Sequence, residues 1–214
     1  HDWMTMGAAI KAKMTTGKPM VVHIHATELD RTGGHPNQYV YELERHGMEM
    51  ADQVIAVSEF TKNMITAHYG ISPDKIAVVH NAVEIPARPA ALEKAKISEN
   101  DRVVLYLGRI TLQKGPDYFI YAAKKVLEKE RNVKFVMAGS GDMEHMIIRK
   151  AAELGIADKM VFAGFLRGDD IDRIYRTADV YVMPSVSEPF GITPLEAMRN
   201  NTPVIISKQS GVSE

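Results

Sequence analysis

Short apolar runs, many of them β-branched, alternate along the chain with longer stretches in which apolar positions recur every three or four residues. Met20–His25, Gln53–Val57, Ile76–His80, Val103–Leu107, Val133–Ala138, Met160–Ala163, Val180–Met183 and Val204–Ser207 read as strands. Several are apolar almost throughout, the pattern of parallel strands covered on both faces. Asn37–Met50, Glu59–His68, Asp117–Glu130, Met143–Leu154 and Asp170–Thr177 read as helices between them. Pro116 suits the first turn of one, Gly155 the C-terminal end of another and Asp169 the N-cap of a third. His1-Asp2-Trp3 opens a further helical stretch, and Leu29–Gly34 reads as a polar, glycine-containing loop. Strand and helix in strict alternation, with short connections, predict βαβ units and a parallel sheet.

The alternation pauses once. Residues 83–100 hold Pro86, Pro89, several alanines and mixed charge without a strand signal. The chain therefore divides into an N-terminal segment, 1–83, a linker, 84–100, and a C-terminal segment, 101–214. The C-terminal segment has the pattern of a near-complete Rossmann-like domain. The N-terminal one has only three clear strands, which predicts an incomplete sheet with open strand edges and a tendency to self-associate. His1 in place of Met, and a stop soon after a strand-like run, predict a chain cut at both ends.

Composition narrows the function classes. A formal net charge of -1 gives no basic field for nucleic acid. There is no cysteine, hence no thiolate site and no cysteine nucleophile, as fits a cytoplasmic protein. No apolar run approaches the roughly 18 residues of a membrane span.

Four stretches carry candidate chemistry. In Glu188-Pro-Phe-Gly-Ile-Thr-Pro-Leu-Glu196, two carboxylates flank a segment at the carboxyl end of a strand, where open α/β sheets bind ligands. Gly191, Ile192 and Thr193 open the next helix, whose free N–H groups favour a phosphate. Two readings of Glu196 stand side by side: a sugar-hydroxyl acceptor, or the far end of a Thr193–Glu196 capping box. In Gly108–Gly115, Gly108 permits close backbone approach, while Arg109 and Lys114 offer cations suited to a diphosphate; the alternative is two solvated surface charges. Ala138-Gly139-Ser140-Gly141 follows a strand, but Glu144 stands where a dinucleotide fingerprint needs a small residue, so it reads as a tight turn. His23 and His25 share one face of a strand. A packed or hydrogen-bonded pair is favoured over a metal pair, and no metal ligand is assigned. The thirteen methionines read as packing.

Together these stretches resemble the retaining glycosyltransferases of family GT4, the glycogen-synthase-like and sucrose-synthase-like group. The most specific piece is Glu188 to Glu196 within SEPFGITPLEAM. GRITLQKG at 108–115, MAGSGDM at 137–143, VIAVSEFTK at 54–62, VVHNAV at 78–83, HDW at 1–3 and HATELDRTGG at 25–34 support it in order. The resemblance implies an α/β protein of GT-B type, with two Rossmann-like domains and parallel sheets. By that analogy Arg109 and Lys114 hold a diphosphate, Glu196 the ribose, Glu188 the donor sugar, and the backbone of Gly191, Ile192 and Thr193 the phosphate or sugar. Phe165 and Leu166 would flank the base, His25 would reach the transferred sugar, and Asp2 and Asp30 are weaker candidates on the acceptor side. It implies no cofactor and no metal, a UDP-, GDP- or ADP-sugar as donor, and a sugar, glycan or lipid acceptor. Three competing expectations are a nucleotide-sugar-binding module without activity, a nicotinamide-dependent oxidoreductase using Gly139–Gly141, and a metal-dependent hydrolase using His23 and His25.

Overall fold

A computed structural model describes residues 1–84 and 102–214. The expected linker lies, from residue 85 onward, outside the described residues. The chain forms two units: one of residues 1–81, 187–191 and 208–214, the other of residues 82–186 and 192–207. Both are α/β with parallel sheets.

In the first unit β1 (Val21–Ile24), β2 (Gln53–Ala56) and β3 (Ile76–Val78) form a parallel sheet in that order. Helices α1 (Asp2–Thr16), α2 (Glu28–Thr32), α3 (Gln38–Met50) and α4 (Glu59–Met64) connect and cover it. Met6, Ile10, Val22, Ile24, Met48, Val54 and Ile65 belong to its apolar core. The Leu29–Gly34 stretch is not a loop. Thr27 and Asp30 form a reciprocal capping box, and Gly33 at φ 63 ends the helix after Thr32. The helix expected at Glu59–His68 stops at Met64 and continues as a π-helical turn, Ile65–Tyr69.

A buried polar network locks α2 to α3. Glu44, 2% exposed, accepts from the Glu28 amide at 2.9 Å, from the Tyr69 hydroxyl at 2.6 Å and from the Arg31 guanidinium. Burial pushes the Glu44 carboxyl up, while Tyr69, the Glu28 amide and Arg31 pull it down. Late residues complete this unit. Ser58 caps α4, its hydroxyl accepting from the Thr61 amide at 2.9 Å. The Glu214 carboxylate accepts from the amides of Glu59 and Phe60 at 2.8 and 2.6 Å, favourable at the positive end of a helix.

In the second unit β4 (Arg102–Leu107), β5 (Val133–Ala138), β6 (Met160–Gly164), β7 (Val180–Met183) and β8 (Val204–Ile206) are all parallel, in the order β6-β5-β4-β7-β8. Helices α5 (Pro116–Leu127), α6 (Glu144–Glu153), α7 (Asp169–Thr177) and α8 (Ile192–Arg199) complete the alternation. Phe119, Ile120, Phe135, Met137 and Ile147 are among its core residues. Pro116 occupies the first turn of α5. Gly155 follows α6 in the left-handed region at φ 67. Asp169 is the first residue of α7 rather than its cap; Gly168 holds that position at φ 55. The strand order reverses direction between β4 and β7, and such a switch point opens a crevice at the carboxyl ends of the strands.

Glu44→Ala leaves an amide, a phenol and a guanidinium without their shared acceptor. The expected cost is about 3 kcal/mol, read as a lowered urea midpoint. Glu44→Gln retains one acceptor oxygen and should lose less; an unchanged midpoint in Glu44→Ala would show that the carboxylate is not the hub.

Candidate functional site

The second unit holds a cavity at the carboxyl ends of β4, β5 and β6. It is lined by Leu107, Gly108 and Arg109 after β4, Ala138, Gly139 and Ser140 after β5, and Phe165, Leu166 and Ile171 after β6. Its volume is about 170 Å³. Cavities of roughly 150 Å³ accept a benzene ring, so this one has room for a single planar ring system. Phe165 is 66% exposed, and the Arg167 guanidinium stands 5.2 Å from its ring centroid, within cation–π range.

Backbone contact builds the wall. Beyond the strands, the loops after β4 and β5 stay hydrogen-bonded: Gly108 N–H donates to the Ala138 carbonyl at 3.0 Å, and Ile110 N–H to the Ser140 carbonyl at 2.9 Å. A Cβ on Gly139 would lie 1.9 Å from the Gly108 carbonyl oxygen, and Gly139 has φ +135. Glycine is therefore required there, in conformation and in space. The register of β5 against β6 shifts at Met137/Ala138, a bulge that redirects the chain at the cavity rim.

At the switch point one phenol joins two candidate segments. Tyr181, on β7, donates to the Leu107 carbonyl at 3.1 Å and pairs with the Thr193 hydroxyl at 2.8 Å. The first turn of α8 is thereby tied to the end of β4. Gly191, at φ +95, precedes this helix. The helix begins at Ile192, so Thr193 lies inside the first turn and not at the N-cap that a capping box requires. Glu196 instead accepts from the Tyr175 hydroxyl at 3.1 Å. The exposed Arg109 donates to the Gln113 side chain at 3.3 Å. Lys114 ends a short 3₁₀ turn, Leu112–Lys114, and the Gln113 carbonyl accepts from the Val186 amide at 2.9 Å.

The remaining candidates lie in the first unit. Glu188 is 6% exposed, and its backbone bonds to Gln209 and Gly211 at 2.9 Å each. Asp30 accepts from the Thr27 amide and hydroxyl and, through its other oxygen, from Ser187, next to Glu188. Asp2, a non-glycine residue at φ 51, accepts from the His25 amide at 2.7 Å. The His25 ring faces His1, Nε2 to Nδ1, at 2.9 Å. Burial, and then the neighbouring His25 ring, hold His23 below the usual imidazole range.

The sequence model of the family described as "Glycosyl transferases group 1" matches residues 87–214, more than half of the chain. The chain belongs to the group 1 glycosyltransferases. A second family model, "Glycosyltransferase Family 4", matches residues 1–85. An uncharacterized glycosyltransferase of Methanocaldococcus jannaschii is 37% identical over all of this chain and 58% of its own length. The glycogen synthase of Mycobacterium tuberculosis is 28% identical over all of this chain and 52% of its own length. The chain thus spans little more than half the length of these relatives. Among solved structures, Anabaena Alr3699/HepE in complex with UDP and glucose superposes with a TM-score of 0.79 at 21% identity, over 99% of this chain and 58% of its own. The fold is the GT-B type expected. No helix among the described residues is long and apolar enough to cross a membrane.

Within this glycosyltransferase chain, Gly108, Arg109, Phe165 and Leu166 meet around one cavity, and Thr193 is tied to the strand beside it. Ile171, which was not singled out in sequence, also lines the cavity, as do Ala138, Gly139 and Ser140, which read there as a tight turn and not as donor-binding residues. Their signal was the Gly-x-Gly after β5, which marks a close backbone approach as well as a turn. Gly139→Ala should destabilise the second unit by on the order of 3 kcal/mol or more, since the methyl group meets backbone. Gly164→Ala, at φ +67 with nothing within 4 Å of its Cβ, should cost about 1 kcal/mol. Equal denaturant midpoints for the two variants would contradict the backbone contact.

Proposed function

We propose that this chain takes part in moving a hexose from a nucleoside-diphosphate sugar to a sugar, glycan or lipid acceptor, with retention of configuration, without a metal ion and in the cytoplasm. The observation that carries the proposal is the cavity at the carboxyl edge of a parallel sheet, where donor candidates from two separate stretches, Gly108–Arg109 and Phe165–Leu166, meet. The base enters that cavity against Phe165 and Leu166. Arg109 and Lys114 hold the diphosphate, together with the amides of Gly191, Ile192 and Thr193. Glu196 takes the ribose hydroxyls. Glu188 and His25 are assigned to the donor sugar, and Asp2 and Asp30 to the acceptor side.

In the transfer, the bond from the anomeric carbon to the phosphate oxygen breaks as the acceptor hydroxyl oxygen bonds to the same face of that carbon. The acceptor proton passes to the departing phosphate. Negative charge grows on the leaving diphosphate, so fixed cations and helix-terminal amides stabilise the transition state more than the ground state. Arg109 presents a planar fork and Lys114 a mobile point charge, two geometries that suit adjacent phosphates.

A second reading is binding of the nucleotide sugar without transfer. It is favoured by the meeting of Gly108, Arg109, Phe165 and Leu166 around one cavity of the second unit whose lining residues include no acceptor-side candidate. Calorimetry with UDP-, GDP- and ADP-glucose, followed by a product assay, separates the two. Lys114→Ala should lower turnover by roughly a hundredfold to a thousandfold while leaving the melting temperature nearly unchanged. Undiminished kinetics in a protein spanning the relatives' full length would remove Lys114 from the diphosphate site.

A further inference from the structure

We propose that His1, His23 and His25 form a binding site for a borderline transition-metal ion, with zinc as the type case. The proposal concerns the first unit alone; because His25 is also assigned to the donor sugar, the ion and the sugar are alternative occupants of that ring.

One ring nitrogen from each of the three histidines lies within 4.8 Å of the other two. His1 Nδ1 and His25 Nε2 are 2.9 Å apart. The ring centroids of His23 and His25 are 4.1 Å apart, and His1 lies 5.3 and 5.2 Å from them. Zinc–nitrogen bonds of about 2.0–2.1 Å in a tetrahedron place ligand nitrogens roughly 3.3 Å apart. The observed spacings bracket that value, so small ring rotations bring the three nitrogens onto one ion.

A second observation points the same way. Nε2 of His23 is buried and finds no hydrogen-bond partner among the described residues. Buried polar nitrogens are normally satisfied. A metal ion turned toward that ring would use one nitrogen as a ligand and leave its partner to orient the ring.

The backbone presents the three side chains without large rearrangement. His23 lies in β1 and His25 one residue beyond it, two positions apart and so on the same face. His1 stands at the start of α1, held near the end of β1 by the Asp2 carboxylate on the His25 amide. Asp2 keeps that contact at φ 51, and backbone strain of this kind concentrates at ligand sites.

The donor set selects the ion. Three imidazoles suit zinc, nickel and copper, whereas calcium and magnesium take oxygen. With three protein ligands, the fourth position goes to water. Where His1 Nδ1 or His25 Nε2 carries the proton of their shared hydrogen bond, that proton moves to the other nitrogen of its own ring when the ion takes both lone pairs, so each imidazole binds in its neutral form.

The test uses the untagged chain with a few residues added ahead of His1, so that the α-amine is not a competing donor. Cobalt(II) is titrated with visible absorption as the readout, and zinc by calorimetry. The expected result is one saturable equivalent, with tetrahedral cobalt bands, a micromolar or tighter zinc dissociation constant and a melting temperature raised by zinc and restored by chelator. Affinity should fall at least tenfold in His1→Ala and in His25→Ala and stay unchanged in His145→Ala. His1 is exposed, so its variant keeps the fold, which circular dichroism verifies. No saturable equivalent, or equal zinc affinity in His1→Ala and the unmodified chain, overturns the proposal.

Discussion

Parallel pairing is the constraint on which the second unit depends. A strand that runs beside its neighbour in the same direction returns through a helix on a face of the sheet, so every loop that follows a strand lies at one edge. Residues after β4, β5 and β6 therefore share a cavity although they stand far apart in sequence. Two loops can also be pressed together without side chains. Gly139 faces the Gly108 carbonyl, and Gly141 faces the Ile110 carbonyl, where a Cβ would stand 2.3 Å from the oxygen. The edge is held by backbone hydrogen bonds that extend the β4–β5 ladder past its formal end. A wall of this kind is rigid, and rigidity lets a few polar groups act on a ligand at fixed positions.

The strands were legible because strands covered on both faces are nearly continuous apolar runs, and each expected run overlaps an observed strand. What was hidden has local causes. Helix α2 is five residues long and polar, so it has no periodicity to display; its signal is the Thr27–Asp30 capping box and the glycine after Thr32. The chain after Met64 keeps a helical pattern but widens into a π turn, a change that the spacing of apolar residues does not encode. The Gly-x-Gly after β5 was visible as a turn, yet which backbone lies opposite Gly139 depends on the β4–β5 pairing, not on the local sequence. Arg109 was legible as a loop cation; its Gln113 partner, 6% exposed, was not.

Carboxylates separate by the donors around them. Glu44 and Asp30 each collect several N–H and O–H groups from adjacent elements, which is the pattern of a structural acceptor. A carboxylate has about four acceptor positions. Glu196 receives one side-chain hydroxyl among the described residues, from Tyr175, and retains capacity for hydroxyls from a ligand. The phenol fixes its orientation in advance, which lowers the ordering cost of binding. Its position in sequence, three residues after Thr193, invited a capping role. The helix start at Ile192 puts Thr193 inside the first turn, and its hydroxyl pairs with Tyr181 instead of capping the helix.

The two units thus offer opposite kinds of recognition. In the second, the guanidinium of Arg109 and the ammonium of Lys114 stand in the loop after β4, and α8 begins beside the end of that strand. Such donors match an anion whose charge increases during a reaction. In the first, the clustered groups are imidazoles, whose lone pairs are acceptors when neutral. Asp2 places one carboxylate oxygen, Oδ1, on the amides of His25 and Ala26 and so orients the ring-bearing strand end, while the cluster of candidate ligands consists of imidazoles. Removing a carboxylate from a would-be metal site shifts its preference from hard to borderline ions. Chemistry in each unit follows from which lone pairs and which N–H groups the backbone leaves unspent.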